Sequence, residues 1–166
     1  MRRTVTDAIP GIAMEDWMRI RNAEPQDRAS LHDLLTRSWL ENWAPHVSAA
    51  SIERFRSENP VAGYLSGYLP SMTVAEEDGQ VLGMAHLVGD RVAALHVLAD
   101  SQGRGVGARL MDHAEADGGR RLEVRAFNTR AIRFYEKRGW RPVRRYEDDE
   151  FGTPLETIEM VLVERT

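Results

Sequence analysis

The chain has 166 residues, enough for one domain of ordinary size, with 42% hydrophobic and 29% charged residues. Its net charge of −4 has the wrong sign for holding a phosphate backbone, so nucleic acid is not an expected partner, whereas a cationic amine is compatible. The absence of cysteine excludes disulfides, thiolate nucleophiles and cysteine-ligated metals, and no apolar run approaches the ~20 residues of a membrane span.

Residues 1–16 lack the apolar stretch of a signal peptide and read as a flexible N-terminal extension of a cytoplasmic protein, ahead of one domain over residues 17–166. Met18 to Asn22 alternates and reads as a first strand. Pro25 opens a helix at its first turn, where a missing N–H removes no bond, and Leu31, Leu34, Leu35, Ser38 and Trp39 recur at helical spacing. Trp39 and Trp43, four apart, divide between the core and an acceptor pocket. Ser48 caps a second helix over 49–58, with Ile52 and Phe55 inward. Residues 59–70 carry Pro60, Gly63, Gly67 and Pro70 and are expected to form a loop. With Tyr64 and Tyr68 that loop is either a surface connection or a substrate lid with aromatic walls.

Strands over 71–77 and 81–88 meet at Asp78 and Gly79, a hairpin signal, and a third over 91–98 follows Gly89 and Asp90. The order then changes to helix (104–117), strand (121–126), helix (128–138), strand (140–147) and strand (155–164). Asn128 caps the second of these helices and Gly139 ends it. The run Glu147 to Glu150 reads as a solvated acidic turn. The fold class is α/β with a mixed sheet, an antiparallel meander first and a βαβ unit second.

The strand over 91–98 runs into Gln102, Gly103, Arg104, Gly105, Val106 and Gly107 at a helix start. Glycines in alternate positions there let the backbone approach a ligand and adopt positive φ. The free N–H groups of the first turn then face it, and the helix dipole favours an anion. A nucleotide P-loop would need lysine and Ser/Thr after the last glycine, where Ala108 and Arg109 stand. A dinucleotide fingerprint would need Gly-x-Gly-x-x-Gly near the first strand, and this turn comes late with a different spacing.

The segment Gln102 to Gly107 resembles the Gln/Arg-x-x-Gly-x-Gly/Ala signature of the GNAT superfamily of N-acetyltransferases. That resemblance implies the acyl-CoA N-acyltransferase fold. In it a mostly antiparallel central sheet, with helices on both faces, splays in a V between two strands. It also implies acetyl-CoA as co-substrate, bound by the backbone of His96, Val97 and Leu98 and by Gln102, Gly103, Arg104, Gly105, Val106 and Gly107. The family often has proline where this chain has Ala99. A second block, Leu122 to Arg125 followed by Asn128, Ala131, Phe134, Tyr135, Gly139 and Trp140, is similar to the family's closing segment. The two blocks cover about residues 91–143.

Asn128 and Tyr135 are seven apart on one helix and so near one face. The resemblance places both against the cofactor and makes Tyr135 the general acid that protonates the departing thiolate. A base is also required, because only a neutral amine attacks. Deprotonating a lysine amine of pKa ~10.4 at pH 7 costs roughly 4.6 kcal/mol, and an N-terminal amine only about 1 kcal/mol. Glu123 is similar to a basic glutamate of enzymes that acetylate ribosomal-protein N-termini. Against this, Leu122, Val124 and Ala126 face the other side of its strand, which fits a half-exposed charged residue equally well. Glu76, Glu77 and Glu41 are the fallbacks.

His32, His46, His86, His96 and His113 show no paired metal-ligand spacing, so no metal is expected. The expected function is direct transfer of acetyl from acetyl-CoA to a primary amine, a peptide N-terminus or a small molecule, by a monomer or homodimer away from membranes. The alternatives are a non-catalytic CoA-binding sensor or scaffold and a transferase for a larger acyl group.

Overall fold

A computed structural model of the protein describes residues 17–164, so the reading of residues 1–16 lies outside the described residues. The elements are β1 (Arg19–Asn22), α1 (Arg28–Asn42), α2 (Ala49–Glu58), α3 (Pro60–Tyr68), β2 (Met72–Glu77), β3 (Gln80–Val88), β4 (Arg91–Val97), α4 (Val106–Ala116), β5 (Arg121–Arg125), α5 (Thr129–Lys137), β6 (Trp140–Glu150) and β7 (Thr153–Leu162). The strands form one sheet in the order β1-β2-β3-β4-β5-β7-β6. Every neighbouring pair is antiparallel except β4 and β5. Helices α1, α2 and α3 share a core with Met72, Val74 and Met84 on one face. Helices α4 and α5 cover the other, around Met111, Leu122, Val124 and Trp140. Among the described residues no helix is long and apolar enough to cross a membrane.

Residues 59–70 are not a loop: α3 and a short 3-10 turn fill them. Pro60 sits at the helix start, behind Asn59 in the left-handed region (φ 45°). Val61, Leu65 and Leu69 recur every fourth residue and are all buried. Gly63 and Gly67 lie on the solvent side, where an added Cβ would meet nothing within 4 Å. Burial of one stripe therefore outweighs two glycines that each disfavour helix by about 1 kcal/mol. Tyr64 turns its hydroxyl to His86 rather than to a lid. We expect Gly63→Ala with Gly67→Ala to add about 1–2 kcal/mol and to raise the melting temperature by a few degrees in calorimetry. An unchanged or lower melting temperature would show that α3 needs these glycines.

The acidic run is also not a turn. Strand β6 continues to Glu150, and the reversal is made by Phe151 (φ 50°) and Gly152 (φ 97°). The ring of Phe151 packs edge-on against Trp39 and Phe55, which ties this hairpin to α1 and α2.

The β4–β5 junction positions the functional site. Only Arg91 with Arg121 and Val92 with Leu122 are paired. Across β3, His86 opposes Ala94 and Leu87 opposes Val92, so Ala93 is an extra residue that bulges β4. A bulge bends its strand and raises the local twist, and this one falls where β4 leaves β5. The closed end is latched by Asp90, whose carboxylate accepts from Arg121 Nη2 (2.9 Å) and whose carbonyl accepts from the N–H groups of Arg120 and Arg121.

Candidate active site

Beyond Val92 the sheet opens into a V, and the β5-facing backbone of β4 has no strand partner. A cavity of about 500 Å³ occupies the opening on the α4 side. Its walls include His96 and Val97 of β4, Gln102, Gly103 and Gly105 of the turn, and Asn128 and Tyr135. Gly103 and Gly105 have φ near +80°, a region that strains residues with a side chain. A Cβ on either would meet nothing within 4 Å, so the space beside them is open cleft. Gly105 is the N-cap of α4 and supplies no side-chain cap, which leaves the first-turn N–H groups for a ligand. Gly107 differs: a Cβ there would make ordinary contact, 3.7 Å from both Phe134 Cζ and Val97 Cγ2.

Not every residue expected here reaches the cleft by its side chain. Val106 is buried in the core and offers its backbone alone. Arg104 turns away to pair with Glu77 (3.1 Å) and to cover the Trp17 ring (4.2 Å). Leu98 packs with the α1–α3 core, and its N–H is spent on Leu82 O (2.8 Å), so it does not line the cavity. Gln102 accepts from Arg130, a residue the sequence reading did not single out.

A smaller chamber of about 150 Å³ lies across the splay, and Trp43, Leu95, His96, Asn128, Ala131 and Tyr135 wall both spaces. The two thus abut at the splay between β4 and β5. Tyr135 comes from the buried face of α5, and burial pushes its phenol well above the ordinary value, so it stays an O–H donor. Its helix is pinned to α4 by Arg138, which bonds Asp112 (2.6 Å) and Glu115 (2.9 Å), and by Trp140 Nε1 donating to Glu115 (2.9 Å). Asn128 Oδ1 caps α5 by accepting from the Ala131 N–H (3.1 Å). Its amide NH₂ remains for the cleft.

The smaller chamber carries charge. Glu123, on the face of β5 opposite the buried Leu122 and Val124, lines it together with Arg125 and Asp148. The guanidinium of Arg125 is already committed to Glu150 (2.6 Å), with Asp148 at 3.4 Å. Glu150 also accepts from Trp39 Nε1 (2.8 Å). Glu123 and Asp148 therefore leave the chamber net negative. Burial, and then the hydrogen bond to Glu123, push the Tyr146 hydroxyl up to about 12. Phe127 stacks on His46 (3.8 Å) and meets Trp43 edge-on (6.0 Å), an aromatic contact that ties the segment after α1 to the β5–α5 turn.

Of the two tryptophans, Trp39 on α1 is core and stacked on Phe55 (3.9 Å), and Trp43, which caps the end of α1, lines the cleft. Glu76 is bound by Arg21 and Glu77 by Arg104, both outside the cleft walls, and Glu41 is exposed elsewhere on α1. Among the described residues, no three His, Asp or Glu side chains gather as a metal-binding group.

A sequence model of the acetyltransferase (GNAT) domain matches residues 70–142. The peptidyl-lysine N-acetyltransferase YjaB of Escherichia coli K12 is 30% identical over 121 residues, covering 72% of this chain and 82% of that protein. The solution structure of apo YjaB from Escherichia coli superposes with a TM-score of 0.73 at 27% identity, covering 89% of this chain and 99% of that one. The structure of yncA from Salmonella typhimurium with acetyl-CoA shares the fold at a TM-score of 0.60 and 21% identity, over 90% and 96% of the two chains. The splayed sheet, the glycine cradle and these likenesses agree: the chain belongs to the GNAT family of N-acetyltransferases.

Proposed function

We propose that this acetyltransferase moves the acetyl group of acetyl-CoA to the side-chain amine of a lysine within a polypeptide. The observation that carries this reading is that the two cavities abut at the splay and share Tyr135 in their walls. One end is a cradle of N–H groups suited to a diphosphate, the other a chamber whose charged lining is net negative and suited to an ammonium. The YjaB relative is a peptidyl-lysine N-acetyltransferase, which supports the choice among primary amines.

The residues divide the work. The turn from Gln102 to Gly107 binds the diphosphate by backbone N–H groups, and the unpaired edge of β4 holds the pantetheine and polarises the thioester oxygen. Tyr135 donates its proton to the leaving sulfur. Glu123 and Asp148 draw the ammonium into the smaller chamber.

The test is an acceptor panel with acetyl-CoA, reading thiol release. It compares a lysine peptide with a blocked N-terminus, a lysine-free peptide with a free N-terminus, and a polyamine. The blocked lysine peptide should be the best substrate. Preference for the free N-terminus would move the acceptor class, and CoA binding without turnover on any amine would make the domain a sensor or scaffold. Longer acyl-CoAs in the same assay should react more slowly, because the chamber beyond Tyr135 holds only about 150 Å³. Glu123→Gln should raise KM for the lysine peptide about tenfold, the loss of one close charge contact worth roughly 1.4 kcal/mol. An effect on kcat and on the pH–rate profile instead would make Glu123 the base.

A further inference from the structure

His96 is a residue that neither the glycine cradle nor the acidic chamber accounts for. It follows the β4 bulge, so its side chain leaves the sheet on the α1 side. Its ring walls both the larger cavity and the smaller chamber, as Tyr135 does from the opposite strand–helix unit. Nδ1 lies 2.8 Å from Ser38 Oγ, 58 residues away on α1. Among the described residues Nε2 has no hydrogen-bond partner. The neighbouring ring is Trp43, tilted at 5.8 Å. The charged groups that share the chamber are Glu123 and Asp148, with Arg125 already committed to Glu150.

We propose that His96 accepts the proton of the attacking amine, and that Ser38 is the positioning residue that sets its tautomer. The inference rests on the acetyl-transfer reading and adds the proton acceptor to it. With Nδ1–H donating to Ser38 Oγ, the lone pair of Nε2 is left free at the junction of the two cavities. Burial pushes the imidazole down to about 4, so the ring is neutral throughout the physiological range. Such a ring is too weak a base to strip a free ammonium, which loses its first proton to water. It is adequate for an amine nitrogen that is already bonding to the carbonyl carbon, whose remaining N–H is far more acidic. The amine nitrogen bonds to carbon and one of its protons passes to Nε2. The carbon–sulfur bond breaks, and the sulfur takes the proton of Tyr135. One proton is taken and one delivered, and transfer from His96 to Tyr135 through water resets the site.

The experiment uses the whole chain, acetyl-CoA and the blocked lysine peptide. His96→Ala and His96→Gln should each lower kcat by about 10²–10⁴, with CoA affinity by calorimetry unchanged within twofold. Added imidazole should restore turnover to His96→Ala, and substituted imidazoles of higher pKa should restore more. Ser38→Ala should lower kcat about tenfold, and nitrogen NMR should show the proton of His96 moving from Nδ1 to Nε2. Near-normal kcat in both His96 variants would overturn the proposal. So would a loss that imidazole does not rescue in a variant that still binds CoA, since that is a packing role. If the unaltered protein acetylates no amine, the functional reading fails and this inference falls with it. That result differs from an active protein whose His96 variants are equally active.

Discussion

Tyr135→Phe is expected to lower kcat by about 10²–10⁴ while CoA still binds with near-normal affinity. The substitution removes one oxygen from a side chain that is 8% exposed, and the ring can keep its contacts with Phe134 (5.4 Å) and Trp140 (6.2 Å). The fold should therefore hold, and the loss should belong to the chemical step. The direction of the phenol shift matters. Burial raises it, so the hydroxyl is protonated at every pH at which the protein works, and no alkaline limb of the rate profile should come from its ionisation. Stopped-flow turnover with the lysine peptide, alongside calorimetry with CoA, separates the two effects. A defect confined to KM would make Tyr135 a positioning residue.

Gly105→Val should weaken CoA binding by about 10²–10⁴-fold with a folded protein. Two costs add. A β-branched residue at φ +84° is strained by about 1–3 kcal/mol. Its side chain would also stand in the open cleft and block N–H groups whose bonds to a charged oxygen contribute roughly 1.5–3 kcal/mol each. Gly107→Ala separates the explanations, because that residue is not in the left-handed region and its Cβ would make ordinary contact at 3.7 Å. It should bind CoA within a few-fold of the unaltered chain. Calorimetric titration with CoA and a melting curve test both, and unchanged affinity in Gly105→Val would remove the cradle from the binding site.

The cofactor half of the cleft was legible because its determinants are local. Two positive-φ glycines, a helix start and the Asn128 cap all act over a few residues, so spacing exposes them. The amine half is assembled at long range. Ser38 meets His96 across 58 residues and Glu150 meets Arg125 across 25, and no periodicity links them. The helix over Pro60–Tyr68 was obscured by Gly63 and Gly67, which read as breakers until the burial of Val61, Leu65 and Leu69 is known. Charge alone makes the acidic run Glu147 to Glu150 read as a turn. The reversal two residues on is made by Phe151, a residue whose left-handed conformation its packing against α1 and α2 supports. Arg104 and Leu98 carry a caution of another kind: a motif fixes where the backbone goes, and neighbours such as Glu77, Trp17 and Leu82 decide where the groups are spent.

The two-pair join between β4 and β5 makes the cleft a lever. From Val92 to Val97 the arm of β4 that is paired with β3 but not with β5 spans about 16 Å at the usual rise of a strand. A rotation of about 4° at the fulcrum, where Asp90 grips Arg121, therefore shifts the far end by about 1 Å. A displacement of that size is enough to alter a reaction rate by about 10²-fold. In the proposed reaction the distance between the β4 edge and the Tyr135 hydroxyl would thus depend on the Asp90–Arg121 latch, which lies outside the cleft walls. Substitution of Asp90 or Arg121, neither of which lines the cleft, is expected to alter that alignment with every residue of the cleft wall left as it is.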